Sequence, residues 1–162
     1  MNENAAVRTA RLLRVLVYVA LGVNILCLPC VPYVTLLVLF FREHAQIAYW
    51  MLLVAGFWVC GGCTAVILWQ AKKILDTILA GEPFRVTNAR AMNRAAAACW
   101  VITAAAVVRL GVETVMFSNP IHLFSYNTVL IPCFFMVGLL FKVMSALFRQ
   151  AAELKEDQDL TI

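Results

Sequence analysis

Residues 47–69 read IAYWMLLVAGFWVCGGCTAVILW, 23 consecutive positions without a formal charge. A helix of about 20 apolar residues, rising about 1.5 Å each, crosses about 30 Å of hydrocarbon. The segment therefore reads as a membrane span, and its surroundings repeat the pattern. Apolar blocks run from Val15 to Phe41 on one side, and over Ala95–Phe117 and about residues 126–145 on the other. The whole chain of 162 residues is 64% apolar by the AVILMFWYC count and 14% charged, against about 25% charged for a soluble domain. On an insertion scale, twenty residues at about −0.3 to −0.6 kcal/mol each can carry a charge costing roughly 2.5–3.5 kcal/mol. The expectation is an all-α integral membrane protein with four transmembrane helices, arranged as two helical hairpins in one domain over residues 1–162. The lipid bilayer is its first partner.

Basic residues set the expected orientation, because cytoplasmic loops are enriched in Lys and Arg. Arg8, Arg11 and Arg14 precede span one, and Lys72, Lys73, Arg85, Arg90 and Arg94 lie between spans two and three. Arg149 and Lys155 follow span four, whereas the other side holds Arg42 alone. Both termini and residues 70–94 are therefore expected in the cytoplasm. The first apolar run is longer than a signal-peptide core of about 7–15 residues and lacks a clear small-residue cleavage site, which reads as a retained span. The formal charge of +4 matches ordinary anchoring at span ends and calls for no direct contact with nucleic acid.

Spans two and four continue beyond the expected bilayer. WQAKKILDTILAGEPF keeps helical periodicity through Leu68, Ala71, Ile74, Leu75, Ile78 and Leu79, with Lys72, Lys73 and Asp76 on the other face. Gly81 fits a C-terminal cap, Pro83 blocks continuation, and Thr87 or Asn88 can cap the next helix. In the tail, residues 146–162, Leu147, Ala151 and Leu154 recur at helical spacing before the acidic and apolar end KEDQDLTI. These two extensions and Phe84 lie close together on the inner face. They either cover one another or form a docking surface for a partner helix or strand.

Two cysteine pairs, CLPC at 27–30 and CGGC at 60–63, invite a redox or metal reading. Depth argues against it: Cys27 is about 20 Å from Arg14 and Cys60 about 18 Å from Lys72 along the helix. A thiolate is costly in hydrocarbon, and the outward loops hold no cysteine for electron relay. Helix packing through small residues suffices, with Gly56, Cys60 and Thr64 as one stripe and Gly61 with Ala65 as another. Pro29 and Pro32 would bend span one and free carbonyls for Asn24 or Tyr33. Arg109 and Glu113, one turn apart in span three, read either as an outer-leaflet ion pair near Arg42, Glu43 and His44 or as the wall of a small-molecule cavity. Lys142 is expected to snorkel to the inner headgroups. His44 and His122 lack the third ligand a metal site needs. No phosphate loop, nucleophile elbow, zinc-protease helix or carboxylate pair occurs, so neither an enzyme nor a cofactor is expected.

ILAGEPFRVTNARAMNRAA between spans two and three and FRQAAELKEDQDLTI at the end resemble an uncharacterised bacterial family of small four-span membrane proteins, sometimes called YoaS-like. The specific part is Gly81, Pro83, Phe84 and Asn88, with Phe148, Glu153, Leu154, Asp159, Leu160, Thr161 and Ile162. The cysteine pairs are not part of that family's pattern. Its members are often encoded beside a small Xre-type helix-turn-helix regulator, which implies a membrane-bound partner for such a regulator. The functional expectation is thus a non-enzymatic protein whose cytoplasmic face binds and modulates that regulator through the GEPF turn and the DLTI tail. A sensor or transport component with a polar cavity at Asn24, Arg109 and Glu113 is the alternative, and thiol redox chemistry a third. Self-association is left open.

Overall fold

The computed structural model describes residues 3–41, 47–82, 84–117 and 126–159. They form four helices, α1 (Glu3–Phe41), α2 (Ile47–Leu79), α3 (Val86–Phe117) and α4 (Tyr126–Asp159), with no strand among the described residues. Each is long and apolar enough to cross a membrane. The chain is an all-helical, four-span membrane protein in its architecture, as the apolar blocks predict. Pro83, Leu160, Thr161 and Ile162 lie outside the described residues, as do Arg42, Glu43, His44, Pro120 and His122.

The helices run well past the apolar blocks. Helix α2, with 33 residues, has a length of about 50 Å, some 20 Å more than hydrocarbon requires. Residues 70–94 are accordingly the last turns of α2, a short connection and the first turns of α3. The connection closes by a defined device. Gly81 has φ +79°, the left-handed region that a side chain rarely tolerates. This lets Gly81 N donate to Ile78 O and Glu82 N donate to Thr77 O, both at 3.1 Å, the paired bonds of a Schellman cap.

Packing follows chain order: α1 lies on α2, α2 on α3, and α3 most extensively on α4. Helix α3 is the spine. Of the buried apolar side chains, Ala89, Ala91, Met92, Ala95, Ala96, Ala98, Cys99 and Ile102 all belong to it. Small side chains let backbones approach, the main source of attraction where lipid tails are as apolar as leucine. By contrast α1 leaves Leu16 and Leu26 more than 60% exposed, a liability in water and the natural state of a helix facing acyl chains.

Two glycines mark the closest approaches. A methyl group on Gly61 would stand 2.9 Å from Leu28 Cδ2, and one on Gly138 would stand 2.5 Å from Trp100 Nε1. The CGGC and CLPC segments thus meet as packing surfaces, with the leucine of one seated on a glycine of the other. The expected Gly56–Cys60–Thr64 stripe behaves differently. Gly56 has nothing within 4 Å of an added methyl, because this stripe lines an open groove. Hydroxyls inside the spans are satisfied locally: Thr35, Thr64 and Thr103 donate to the carbonyls of Val31, Cys60 and Cys99 at 2.9, 2.8 and 3.0 Å, as hydrocarbon demands. Helix α1 runs through Pro29 and Pro32 without a break. Asn24 Oδ1 is buried and has no hydrogen-bond partner.

Gly138→Ala is therefore expected to cost about 1–3 kcal/mol by overpacking against the Trp100 indole. Gly62→Ala, where nothing lies within 4 Å, is expected to leave stability unchanged or slightly higher, read for both variants by thermal unfolding in detergent micelles.

Candidate functional site at the basic end

The end of the bundle that holds the α2–α3 turn also holds the N-terminal part of α1 and the C-terminal part of α4. Arg14 Nε of α1 lies 3.1 Å from Asp76 Oδ1 of α2. That contact is electrostatic rather than an aligned hydrogen bond, since Asp76 Oδ1 lacks a bonded donor. Tyr18 lies one turn along α1, its ring 5.9 Å from the Arg14 guanidinium and 5.1 Å from Lys72 Nζ. The same lysine stands 4.9 Å from the Trp69 ring. Charge and aromatic faces thereby fasten the end of α1 to α2.

The turn itself is locked from inside. Asn88 is 1% exposed, one of the largest fully buried side chains. Its Nδ2 donates to Thr77 Oγ1 at 2.7 Å, across the turn from α3 to α2. The Thr77 hydroxyl has one hydrogen, which goes to Ile74 O at 2.8 Å or to Asn88 Oδ1 at 2.9 Å. Asn88, the third residue of α3, is thus a clamp between helices. The first turn of α3 is instead started by Asn88 N donating to Arg85 O at 2.9 Å. Arg90 and Arg94 are exposed.

The locked turn presents Phe84 to α4. The rings of Phe84 and Phe148 have centroids 5.9 Å apart at a tilt of 37°, within the range of favourable aromatic pairs. Phe84 is still 50% exposed and Leu154, further along α4, is 64% exposed. A shallow depression beside them is lined by Glu82, Phe84, Arg85, Ala152, Lys155 and Glu156. Arg85 pairs with Glu82, and Arg149 Nε donates to Glu153 Oε1 at 2.9 Å. Gly81, Phe84, Asn88, Phe148 and Leu154 therefore share one end of the molecule. Asp159 closes α4 there.

The intramembrane polar residues divide into two places. Arg109 Nε donates to Glu113 Oε1 at 2.8 Å, and Glu113 is 5% exposed. Arg109 also lines a groove of about 460 Å³, floored by α3 and walled by α2 and α4, with Gly56, Phe57, Cys60, Thr64 and Phe134 along its sides. Asn24 belongs to α1, which rests on α2, and does not line this groove. All six cysteines are unbonded, with Cys27, Cys30 and Cys133 exposed on the helix surface, Cys60 and Cys63 half-buried, and Cys99 buried.

Sequence reasoning missed Cys99, Trp100 and Gly138 as packing determinants and Thr77 as the partner of Asn88. A signal was present in RAAAACW, residues 94–100, whose run of small residues marks a helix that neighbours can approach from several sides.

A family profile, described as a protein of unknown function (DUF2975), matches residues 25–162. The chain belongs to this family. No curated protein and no solved structure matches it. The match begins within α1 and covers α2, α3 and α4, so the DUF2975 assignment includes the α2–α3 turn and the end of α4 and leaves out Arg14 and Tyr18.

Thr77→Val would leave the Asn88 amide without its cross-helix acceptor inside the turn. A loss of about 1–3 kcal/mol is expected, by thermal unfolding, and Thr77→Ser should retain most of the native stability.

Proposed function

We propose that the basic end faces the cytoplasm of a bacterial cell and that the GEPF turn and the end of α4 together bind a small cytoplasmic helix-turn-helix regulator. The observation that carries this reading is the Phe84–Phe148 contact at 5.9 Å. It unites two segments, far apart in sequence, that carry the resemblance to the YoaS-like proteins. That resemblance, with its frequent neighbouring Xre-type regulator, supplies the class of partner. Orientation rests on the concentration of Lys and Arg at this end.

The chemistry of the surface suits such a partner. Phe84 and Leu154 offer exposed apolar anchors of the kind that dominate binding energy. Around them stand Glu153, Glu156 and Asp157 on α4. A DNA-binding domain carries a basic face for phosphates, so an acidic helix end beside apolar anchors can compete for that face. Holding the regulator at the membrane removes it from DNA without any covalent chemistry.

The test uses the full chain in membranes against a version ending at Leu154, with the regulator as probe. Recovery of the regulator is expected to fall at least tenfold for the shortened chain and for Phe84→Glu. Equal recovery would remove the tail and the turn from the interface.

A second reading is favoured by one observation, the ion pair of Arg109 with the 5% exposed Glu113 at the wall of the α2–α3–α4 groove. Intramembrane ions are costly and commonly mark ligand paths, which suits a sensor or transport component. Arg109→Leu with Glu113→Gln removes both charges together. Signalling or uptake that survives this change excludes the groove as the ligand site. Replacement of Cys27, Cys30, Cys60 and Cys63 by Ala is expected to leave regulator binding intact, read in the same pull-down, whereas a thiol mechanism requires its loss.

A further inference from the structure

A second concave surface at the basic end remains unused by the docking reading. It lies between α3 and α4, has a volume of about 580 Å³, and is lined by Arg90, Asn93 and Arg94 from one helix and Lys142, Ser145 and Arg149 from the other. Its walls are tied together. Ser145 Oγ donates to Ala89 O at 2.7 Å, and Lys142 Nζ donates to Asn93 Oδ1 at 2.6 Å. The bond to Asn93 holds the Lys142 ammonium against the α3 wall, so this lysine does more than reach for the surface.

The lining contains four cations and no carboxylate. Glu153 engages Arg149 from one turn further along α4. Arg90 and Arg94 have no carboxylate within ion-pair distance among the described residues. Val86, the first residue of α3, lines the same groove, so the positive end of that helix adds to the potential. With Arg90, Arg94 and Lys142 paired to no carboxylate among the described residues, the concavity selects an anion with several oxygens, and arginine is the residue best shaped to hold a phosphate.

Depth identifies the source of that phosphate. Arg94 immediately precedes the apolar run of α3, and Lys142 and Ser145 end the apolar run of α4. The groove therefore opens at the boundary between hydrocarbon and water, where lipid headgroups are the most concentrated phosphates. Basic pockets between helices at this level suit anionic headgroups. We propose that the α3–α4 groove binds the phosphate of an anionic phospholipid, with Arg90 and Arg94 as its principal ligands and Lys142 and Arg149 closing the opposite wall. The site holds whichever side of the bilayer the basic end faces, so it stands apart from the docking reading.

The test compares full-length protein in nanodiscs of phosphatidylcholine alone and of phosphatidylcholine with phosphatidylglycerol, followed by thermal unfolding and by native mass spectrometry of retained lipid. Phosphatidylglycerol is expected to raise the unfolding temperature and to remain bound. Arg90→Gln with Arg94→Gln is expected to weaken retention roughly thirtyfold, from about fivefold per removed cation near a membrane surface. Arg90→Lys with Arg94→Lys should recover most of it. Arg8→Gln with Arg11→Gln removes the same charge from α1 and should change retention less than twofold. Equal behaviour in the two lipid compositions, or equal loss in the α1 control, overturns the site. Inorganic phosphate reproducing the stabilisation in phosphatidylcholine discs would overturn the lipid assignment in favour of a soluble anion. The double variants keep every contact described among the helices, and circular dichroism of each in detergent separates lost binding from lost fold.

Discussion

The close approach of α3 to its neighbours is the contact on which the rest of the molecule depends. In hydrocarbon, helices gain little from burying apolar surface against one another, so attraction must come from backbone proximity and interhelical bonds. The alanines of α3 and Gly138 of α4 provide that proximity, with the Trp100 indole filling the space where a side chain on residue 138 would sit. Helix α1 has no such spine to rest on. It meets α2 through Leu28 on Gly61 and through the charge and aromatic contacts of Arg14, Tyr18 and Lys72. The arrangement is a tight α3–α4 pair carrying α2, with α1 as an outer helix exposed to lipid.

This packing decides what the basic end can present. Because α2 and α4 both lie on α3, the turn leaving α2 is delivered beside the end of α4, and Phe84 reaches Phe148. The Schellman cap at Gly81 and the Asn88–Thr77 clamp then fix the turn against that helix. One consequence is a composite apolar surface edged by charges of both signs, and the other is a basic groove on the same end between α3 and α4. The two differ in charge and in depth, which is why we propose a protein for one and a lipid phosphate for the other.

Much of this is legible in the sequence. The four spans follow from block length alone, and Gly81 announces its cap because few other residues tolerate a positive φ. The order of packing was not legible, because residues that face lipid and residues that face a neighbouring helix have the same apolar character. The small residues of α2 illustrate the difficulty. Gly56, Cys60 and Thr64 form as regular a stripe as Gly61 and Ala65, yet the first lines a groove while Gly61 meets Leu28. Asn88 misled for a related reason. An asparagine near a helix start serves equally as a local cap or as a bond to another helix, and only the position of Thr77 separates the two. Asn24, Arg109 and Glu113 were grouped by polarity, whereas the helix order puts Asn24 on an outer helix away from the other two.

The most direct test of the account is whether the turn and the end of α4 touch in the membrane. In a chain whose six cysteines are replaced by Ala or Ser, Phe84→Cys and Phe148→Cys would be introduced together and treated in native membranes with a short bifunctional maleimide. The 5.9 Å ring separation predicts a fast intramolecular cross-link, with each single variant giving none. Failure of the pair to cross-link while both thiols remain reactive to a monofunctional maleimide would contradict it.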